Sequence, residues 1–77
     1  PATEWINLEW GSTLDLTDAR VELYTIGGQY IGEIWNVDYL THNSTYEIRL
    51  PVLPEGIYLY RLSSDQGMVQ GKLVIVP

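Results

Sequence analysis

Few side chains in this sequence could perform chemistry, and they do not form a recognisable set. His42 is the only histidine among 77 residues, and the chain contains no cysteine. Zinc sites and catalytic triads need several cooperating side chains. The absence of cysteine excludes disulfides, thiolate zinc sites and thiol catalysis. We therefore expect His42 to be an exposed residue of a polar loop, with no catalytic residue and no metal or cofactor site in this chain.

The carboxylates are scattered rather than paired. Most of them fall in predicted loops or at outward strand positions (the set is Asp15, Asp18, Glu22, Glu33, Asp38, Glu47, Glu55 and Asp65). A glycosidase needs two carboxyl groups held across a cleft, and a domain of this size has little volume for one. Asp15 and Asp18 could contribute to a calcium loop, but their spacing matches no EF-hand. The sequence predicts a solvated acidic surface.

Three aromatic residues form the one candidate binding surface that the side chains suggest. Trp5 lies on the face opposite Ile6 and Leu8, so we expect it to be exposed. Together with Trp35 and Tyr39 it could form a platform on which sugar rings stack, as in a carbohydrate-binding module. The competing interpretation is that these rings pack against a neighbouring domain or a loop.

Two short motifs carry less information. Gly27-Gly28 lacks the spacing of a phosphate-binding loop and is not followed by a helix, so it predicts a tight hairpin. Asn43-Ser44-Thr45 matches the glycosylation triplet, which indicates only that this loop would be accessible.

Composition limits the function further. The net charge is −6, and only 18% of the residues are charged. A surface this acidic repels nucleic acid and anionic lipid, and no apolar run is long enough to cross a membrane. The length fits one domain over residues 1–77. Because the chain starts at Pro1 without a signal peptide, we expect it to be cut from a longer protein.

The elements that position these residues are strands, because the apolar residues recur with period two. Turn residues separate six predicted strands at about 4–10, 20–26, 29–37, 44–50, 57–63 and 68–76, and a seventh is possible at 12–16. This pattern predicts an all-β fold, a small antiparallel sandwich of the immunoglobulin-like or fibronectin-III-like kind. Strand 57–63 should be central, because it is apolar on both faces. Strand 29–37 should lie at an edge, with either Tyr30 and Ile34 or Ile31, Trp35 and Val37 facing the core.

The segment LPEGIYLYRL at 53–62 has a clear physical logic. Pro54 fixes one backbone dihedral, and Gly56 permits a conformation that other residues resist. The chain then enters the predicted central strand, with Tyr58 near the start of that strand. A tyrosine at such a corner can donate a hydrogen bond to the upstream backbone and lock the bend.

Four segments, in this order, resemble the type IX secretion system C-terminal sorting domain, type A. That family has a P-N-P-A segment, a strand of the form V-x-I-Y-D-x-x-G-R-x-V, a run L-P-x-G-x-Y-x-x-x-L and a final strand containing lysine. The corresponding segments are PATEWI at 1–6, VELYTIGGQYI at 21–31, LPEGIYLYRL at 53–62 and GKLVIV at 71–76. Thr25 and Gln29 depart from the pattern by replacing the usual Asp and Arg. One lysine stands where two are common.

This resemblance implies a secretion signal rather than an enzyme. Members direct a fused N-terminal cargo from the periplasm of a Gram-negative bacterium through the outer-membrane type IX translocon. A sortase-like peptidase then often removes the domain and attaches the cargo to the cell surface. We expect recognition to use the hairpin, the bend and the last strand, namely Gly28, Leu53, Pro54, Gly56, Tyr58, Lys72, Leu73, Val74, Ile75 and Val76. A structural spacer and a carbohydrate-binding module remain the alternatives.

Overall fold

The computed structural model describes residues 4–10 and 15–76. These residues form six strands: β1 (Glu4–Trp10), β2 (Leu16–Thr25), β3 (Tyr30–Leu40), β4 (Ser44–Leu50), β5 (Gly56–Ser64) and β6 (Gly67–Ile75). The prediction of an all-β fold is confirmed. The possible seventh strand at 12–16 lies mostly outside the described residues, and its last residue, Leu16, begins β2. No helix that could cross a membrane occurs in the described part of the chain.

The six strands form two antiparallel sheets. One has two strands in the order β1-β4, and the other has four in the order β3-β2-β5-β6. The predicted central position of β5 is confirmed, because β5 pairs with both β2 and β6. The predicted edge position of β3 is confirmed as well.

The core lies between the inner faces of the two sheets. Leu16, Ala19 and Val21 of β2 pack there with Leu62 of β5 and Ile48 of β4. Ile6 and Leu8 of β1 cover this cluster from the small sheet. No polar or charged residue is buried among those described, so apolar burial is the main force that holds the sheets together.

Strand β3 combines its two predicted core sets: Trp35 and Val37 of one set pack against the core with Ile34 of the other, whereas Ile31 is exposed. The β2–β3 register passes from Val21↔Trp35 to Glu22↔Glu33, so that Ile34 is an extra residue. Such a bulge changes which face the following side chains point to. As a result Ile34 and Trp35, which belong to alternative predicted sets, both pack against the core. Tyr30, at the start of β3, is exposed.

Candidate recognition elements

The hairpin between β2 and β3 is a tight turn closed by the backbone. The Gly28 N–H donates to the Thr25 carbonyl at 2.9 Å, and the Thr25 N–H donates to the Gln29 carbonyl at 2.8 Å. Gly28 has a φ of +93°, a conformation that favours glycine. These features correspond to a turn followed by a left-handed glycine, a common three-residue hairpin loop.

The two departures in this hairpin have a structural consequence. The Thr25 hydroxyl oxygen accepts a hydrogen bond from the Gln29 N–H at 3.0 Å. Threonine therefore provides a side-chain acceptor at the position where the sorting-domain pattern has Asp. The turn is held by neutral hydrogen bonds, and it does not need the charged pair that the family pattern suggests.

The bend before β5 is locked as predicted. The Tyr58 hydroxyl donates to the Pro54 carbonyl at 2.6 Å, and the Tyr58 side chain is buried. Gly56, with a φ of +151°, starts β5, and Leu53 is half-buried ahead of it. The predicted tyrosine corner is confirmed by this bond.

The last strand lies at the edge of the four-stranded sheet. β6 pairs with β5 on one side and with no other described strand. Along it Lys72 and Val74 are exposed, whereas Leu73 and Ile75 are half-buried, and Val76 follows the strand as an exposed residue. This alternation places one set of side chains inward and leaves the other set available to solvent.

Gly71 is a sterically restricted position that the sequence analysis did not single out. It pairs with Tyr60 across β5–β6, and a Cβ built on it would lie 2.7–2.8 Å from atoms of the Tyr60 ring. The ring thus occupies the space that a side chain at position 71 would need. The available signal was a glycine inside an otherwise alternating strand, which often marks a close approach.

The fold brings the hairpin, the bend and the end of β6 to the same end of the four-stranded sheet. Thr25, the last residue of β2, pairs with Tyr58 near the start of β5. Tyr58 also pairs with Leu73, and Gly56 pairs with Ile75 at the end of β6. Neighbouring strands lie about 4.8 Å apart. The hairpin, the bend and the end of β6 therefore lie within a few strands of one another. We call this end of the four-stranded sheet the hairpin end.

The opposite end of the molecule is held by carboxylates. Asp15 accepts hydrogen bonds from the Tyr39 hydroxyl at 2.6 Å and from the His42 backbone N–H at 2.7 Å, and its carboxylate lies 2.7 Å from the His42 Nδ1. These bonds, the one from Tyr39 above all, lower the pKa of Asp15 to about 2. The same contact with Asp15 raises the pKa of Tyr39. His42 is exposed in its loop, as expected, and its ring contacts this carboxylate.

Asp65 has a similar role in the turn between β5 and β6. Its Oδ1 accepts from the Thr17 N–H at 2.9 Å, and its own N–H donates to the Thr17 carbonyl at 3.1 Å. The bond from the Thr17 N–H to the carboxylate is the main reason that the pKa of Asp65 is lowered. Among the described residues no group of three or more metal-ligating side chains is found. Asp15 and Asp65 thus fasten loops to β2.

The three aromatic residues of the possible sugar platform lie apart. Trp5 is exposed on the outer face of β1, whereas Trp35 packs against the core and its ring centroid lies 5.2 Å from that of Tyr46. Tyr39 lies near the far end of β3, bonded to Asp15. Since Trp5 lies on the outer face of the small sheet and Trp35 packs against the core between the two sheets, these residues do not present one flat surface.

Comparison with protein families gives one match. The family model described as "Secretion system C-terminal sorting domain" matches residues 1–76. Neither the curated proteins nor the solved structures include a significant match to this chain.

Proposed function

Because the chain belongs to the secretion system C-terminal sorting domain family, which serves type IX secretion, we propose that it directs a fused cargo through the outer-membrane translocon. In this proposal residues 1–77 are a single domain from a larger protein of a Gram-negative bacterium. The cargo reaches the periplasm by a separate export signal, and a sortase-like peptidase attaches it to the cell surface after translocation. The domain itself is bound and removed, and performs no chemistry.

The observation that carries this proposal is the convergence of the three motifs at the hairpin end. Their separation in the sequence is large, but the register Thr25↔Tyr58↔Leu73 places them side by side. A receptor that contacts this end would read all three elements at once.

The hairpin end is suited to recognition by shape. Gly28 and the Tyr58–Pro54 bond fix the backbone of two turns, so a receptor meets a preformed surface and loses little entropy on binding. The free edge of β6 adds a row of backbone groups to which a receptor strand can bind. The proposed non-catalytic role rests on the family, and the bonds of Asp15 and Asp65 have a structural role in fastening loops.

Ile26, Ile57 and Val74 are exposed at the hairpin end and provide the apolar contacts for such a receptor. Val74 pairs with Ile57, and Ile26 is part of the hairpin loop. Because these side chains are not needed to fill the core, they can be changed with little effect on folding.

A secretion assay with matched variants tests the proposal. The domain is fused to the C-terminus of a fluorescent reporter that carries an export signal, in a bacterium with a type IX system. Val74→Glu alters the hairpin end, and Met68→Glu is the control, since Met68 lies on the same face of β6 at the opposite end and has similar exposure. We expect wild type and Met68→Glu to reach the surface or medium, and Val74→Glu to be reduced at least tenfold.

Two outcomes would contradict the proposal. Reporter that remains in the periplasm, although the wild-type domain is folded, would favour a fibronectin-III-like spacer. Equal secretion of Val74→Glu and Met68→Glu would show that the hairpin end is not what the secretion system recognises. A translocon-deficient strain provides the necessary control, since its reporter should remain periplasmic.

A further inference from the structure

The two sheets differ in width, and the difference leaves part of the inner face uncovered. Two strands face four, and with strands about 4.8 Å apart the small sheet spans only part of the larger one. Val69 shows the consequence. It pairs with Leu62 and so shares its inner face, yet Leu62 is 5% exposed and Val69 is 52% exposed.

An apolar cavity of about 310 Å³ lies beside this uncovered region. It lies between the two sheets: Ile6 and Leu8 of β1 line one side, and Tyr60 of β5 and Leu73 of β6 line another. The rest of the lining comes from the neighbouring core strands (Val21, Leu23, Ile34, Ile48 and Leu62). Asn7 also borders the cavity, although its side chain alternates to the outer face. The cavity therefore extends to the backbone of β1.

Among the described residues, β1 pairs along one edge only, and its other edge lies next to this cavity. Its register with β4 runs from Glu4↔Leu50 to Trp10↔Ser44, and no other described strand pairs with it. Unpaired backbone N–H and C=O groups on an edge are best satisfied by another extended segment. A helix or a compact ligand could fill the cavity, but it could not continue the ladder of β1.

The volume of the cavity indicates what such a segment would carry inward. A cavity of roughly 150 Å³ can hold one benzene molecule, so about 310 Å³ accommodates two side chains of leucine size. Alternate residues of a strand point to the same face and lie roughly 6.8 Å apart. Two apolar residues at positions i and i+2 of an added strand would therefore fill the cavity.

The charge of this surface indicates what the segment would carry outward. The side chains between the inward ones would lie beside Asn7 and Glu9, which are exposed on the outer face of β1. The whole chain has a net charge of −6. Basic residues on the added strand would gain cross-strand attraction and faster association.

We propose that the free edge of β1 binds an extended, basic segment of another protein as a third strand of the small sheet, with two alternate apolar side chains in the cavity between the two sheets. The strand added here pairs with β1, whereas the sorting proposal uses the unpaired edge of β6 at the hairpin end. The proposal goes beyond sorting and does not depend on it, since it concerns peptide binding by the isolated chain.

Titration with a designed peptide tests this site directly. The probe is acetyl-Lys-Leu-Lys-Leu-Lys-Thr-Lys-amide, added to the ¹⁵N-labelled 77-residue chain and followed by amide chemical shifts. We expect saturable shifts in β1 and along the cavity. A peptide with proline in place of its central leucine should bind at least tenfold more weakly, because it loses an N–H and cannot extend the ladder.

Matched variants of the domain locate the site. Leu73→Phe fills the cavity and should weaken binding at least tenfold, whereas Val74→Phe adds a ring to the outer face of the same strand and should stay within twofold. Glu9→Lys should weaken binding by about threefold or more at low salt, and Glu55→Lys, with the same charge change in the bend before β5, should have less effect.

Several results would overturn the proposal. These are the absence of shifts at millimolar peptide, equal binding of the proline peptide, or equal binding by Leu73→Phe and wild type. The proline peptide is tested on the wild-type domain, so the proposal can still be tested if Leu73→Phe fails to fold. Sedimentation that shows a dimer of the free chain, dissociated by Leu73→Phe, would assign the cavity to a second copy instead.

Discussion

Replacing Tyr58 with phenylalanine isolates the hydrogen bond that closes the bend before β5. The phenylalanine ring can fill the same space, because the Tyr58 side chain is buried at the start of the strand. The change removes only the hydroxyl, which donates to the Pro54 carbonyl at 2.6 Å. Any loss of stability therefore measures this bond and not the packing of the ring.

The size of the effect follows from where the acceptor lies. A typical hydrogen bond contributes about 0.5–1.5 kcal/mol net, and an acceptor left without a partner costs more only if it is buried. Pro54 is exposed, so water can reach its carbonyl. We expect Tyr58→Phe to lower the free energy of unfolding by about 1 kcal/mol. In a domain of this size that corresponds to a fall in Tm of about 4–8 °C.

Chemical denaturation and thermal melts measure this change. Tyr30→Phe is the matched control, because Tyr30 is 53% exposed and its hydroxyl bonds to the Glu22 side chain without closing a bend, so its effect should stay within about 0.5 kcal/mol. Tyr58→Ala removes the ring as well and should cost about 3–5 kcal/mol. The reasoning is refuted if Tyr58→Phe is as stable as wild type, or if the exposed tyrosine proves equally costly.

Three further predictions concern Gly28 in the hairpin, Gly71 in β6 and Asp15 just before β2. Gly28→Ala should lower the free energy of unfolding by about 1–2 kcal/mol in urea titrations, because its φ is +93°, whereas Gly27→Ala, without a positive φ, should have little effect. Gly71→Ala should cost about 1–3 kcal/mol, because the new Cβ would meet the Tyr60 ring at 2.7–2.8 Å, and a double-mutant cycle with Tyr60→Val should show a coupling of at least about 0.5 kcal/mol. The Asp15 carboxyl should titrate near pH 2 by NMR. Since its folded pKa lies below the ordinary 3.8, its stabilising effect is present above pH 3.8 and is lost as the pH falls towards 2, and a measured value near 3.8 would contradict the bonds described here.

Alternation predicted β1 and β4 closely because each has a simple relation to the core. In β4, for example, Ile48 and Leu50 are buried while Glu47 and Arg49 are exposed. The beginning of β2 was harder to predict. Leu16 and Ala19 are both buried although they lie three positions apart rather than two or four, because Asp18, with a φ of +54°, interrupts the alternation. The prediction therefore started this strand at residue 20 rather than at Leu16.

Strand β3 shows a second limit of the same kind. Its sequence offers two apolar sets of opposite parity, and no local property decides between them. The extra residue at Ile34 lets both Ile34 and Trp35 reach the core. A bulge of this kind depends on how β2 lies beside β3, so it is a property of the pair and not of either sequence alone.

The candidate site depends even more on pairing between distant segments. Gly28, Tyr58 and the final strand could each be recognised from local sequence, because each carries a residue with a specific conformational or hydrogen-bonding role. Their arrangement at one end results from the order β3-β2-β5-β6. Strand order is decided by burial summed over the whole sheet, so a local pattern cannot reveal it.

The same reasoning explains why the free edge of β1 could not be predicted. Trp5 and Ile6 correctly indicated which face of β1 is outward, but a strand becomes an edge only through the partners that it lacks. Here β1 pairs with β4, about forty residues away, and with no other described strand. The small sheet is then too narrow to cover Leu73 and Val69. Because an uncovered apolar face costs stability in a domain with so small a core, a strand that adds to β1 would gain burial on its inner side and hydrogen bonds along its edge together.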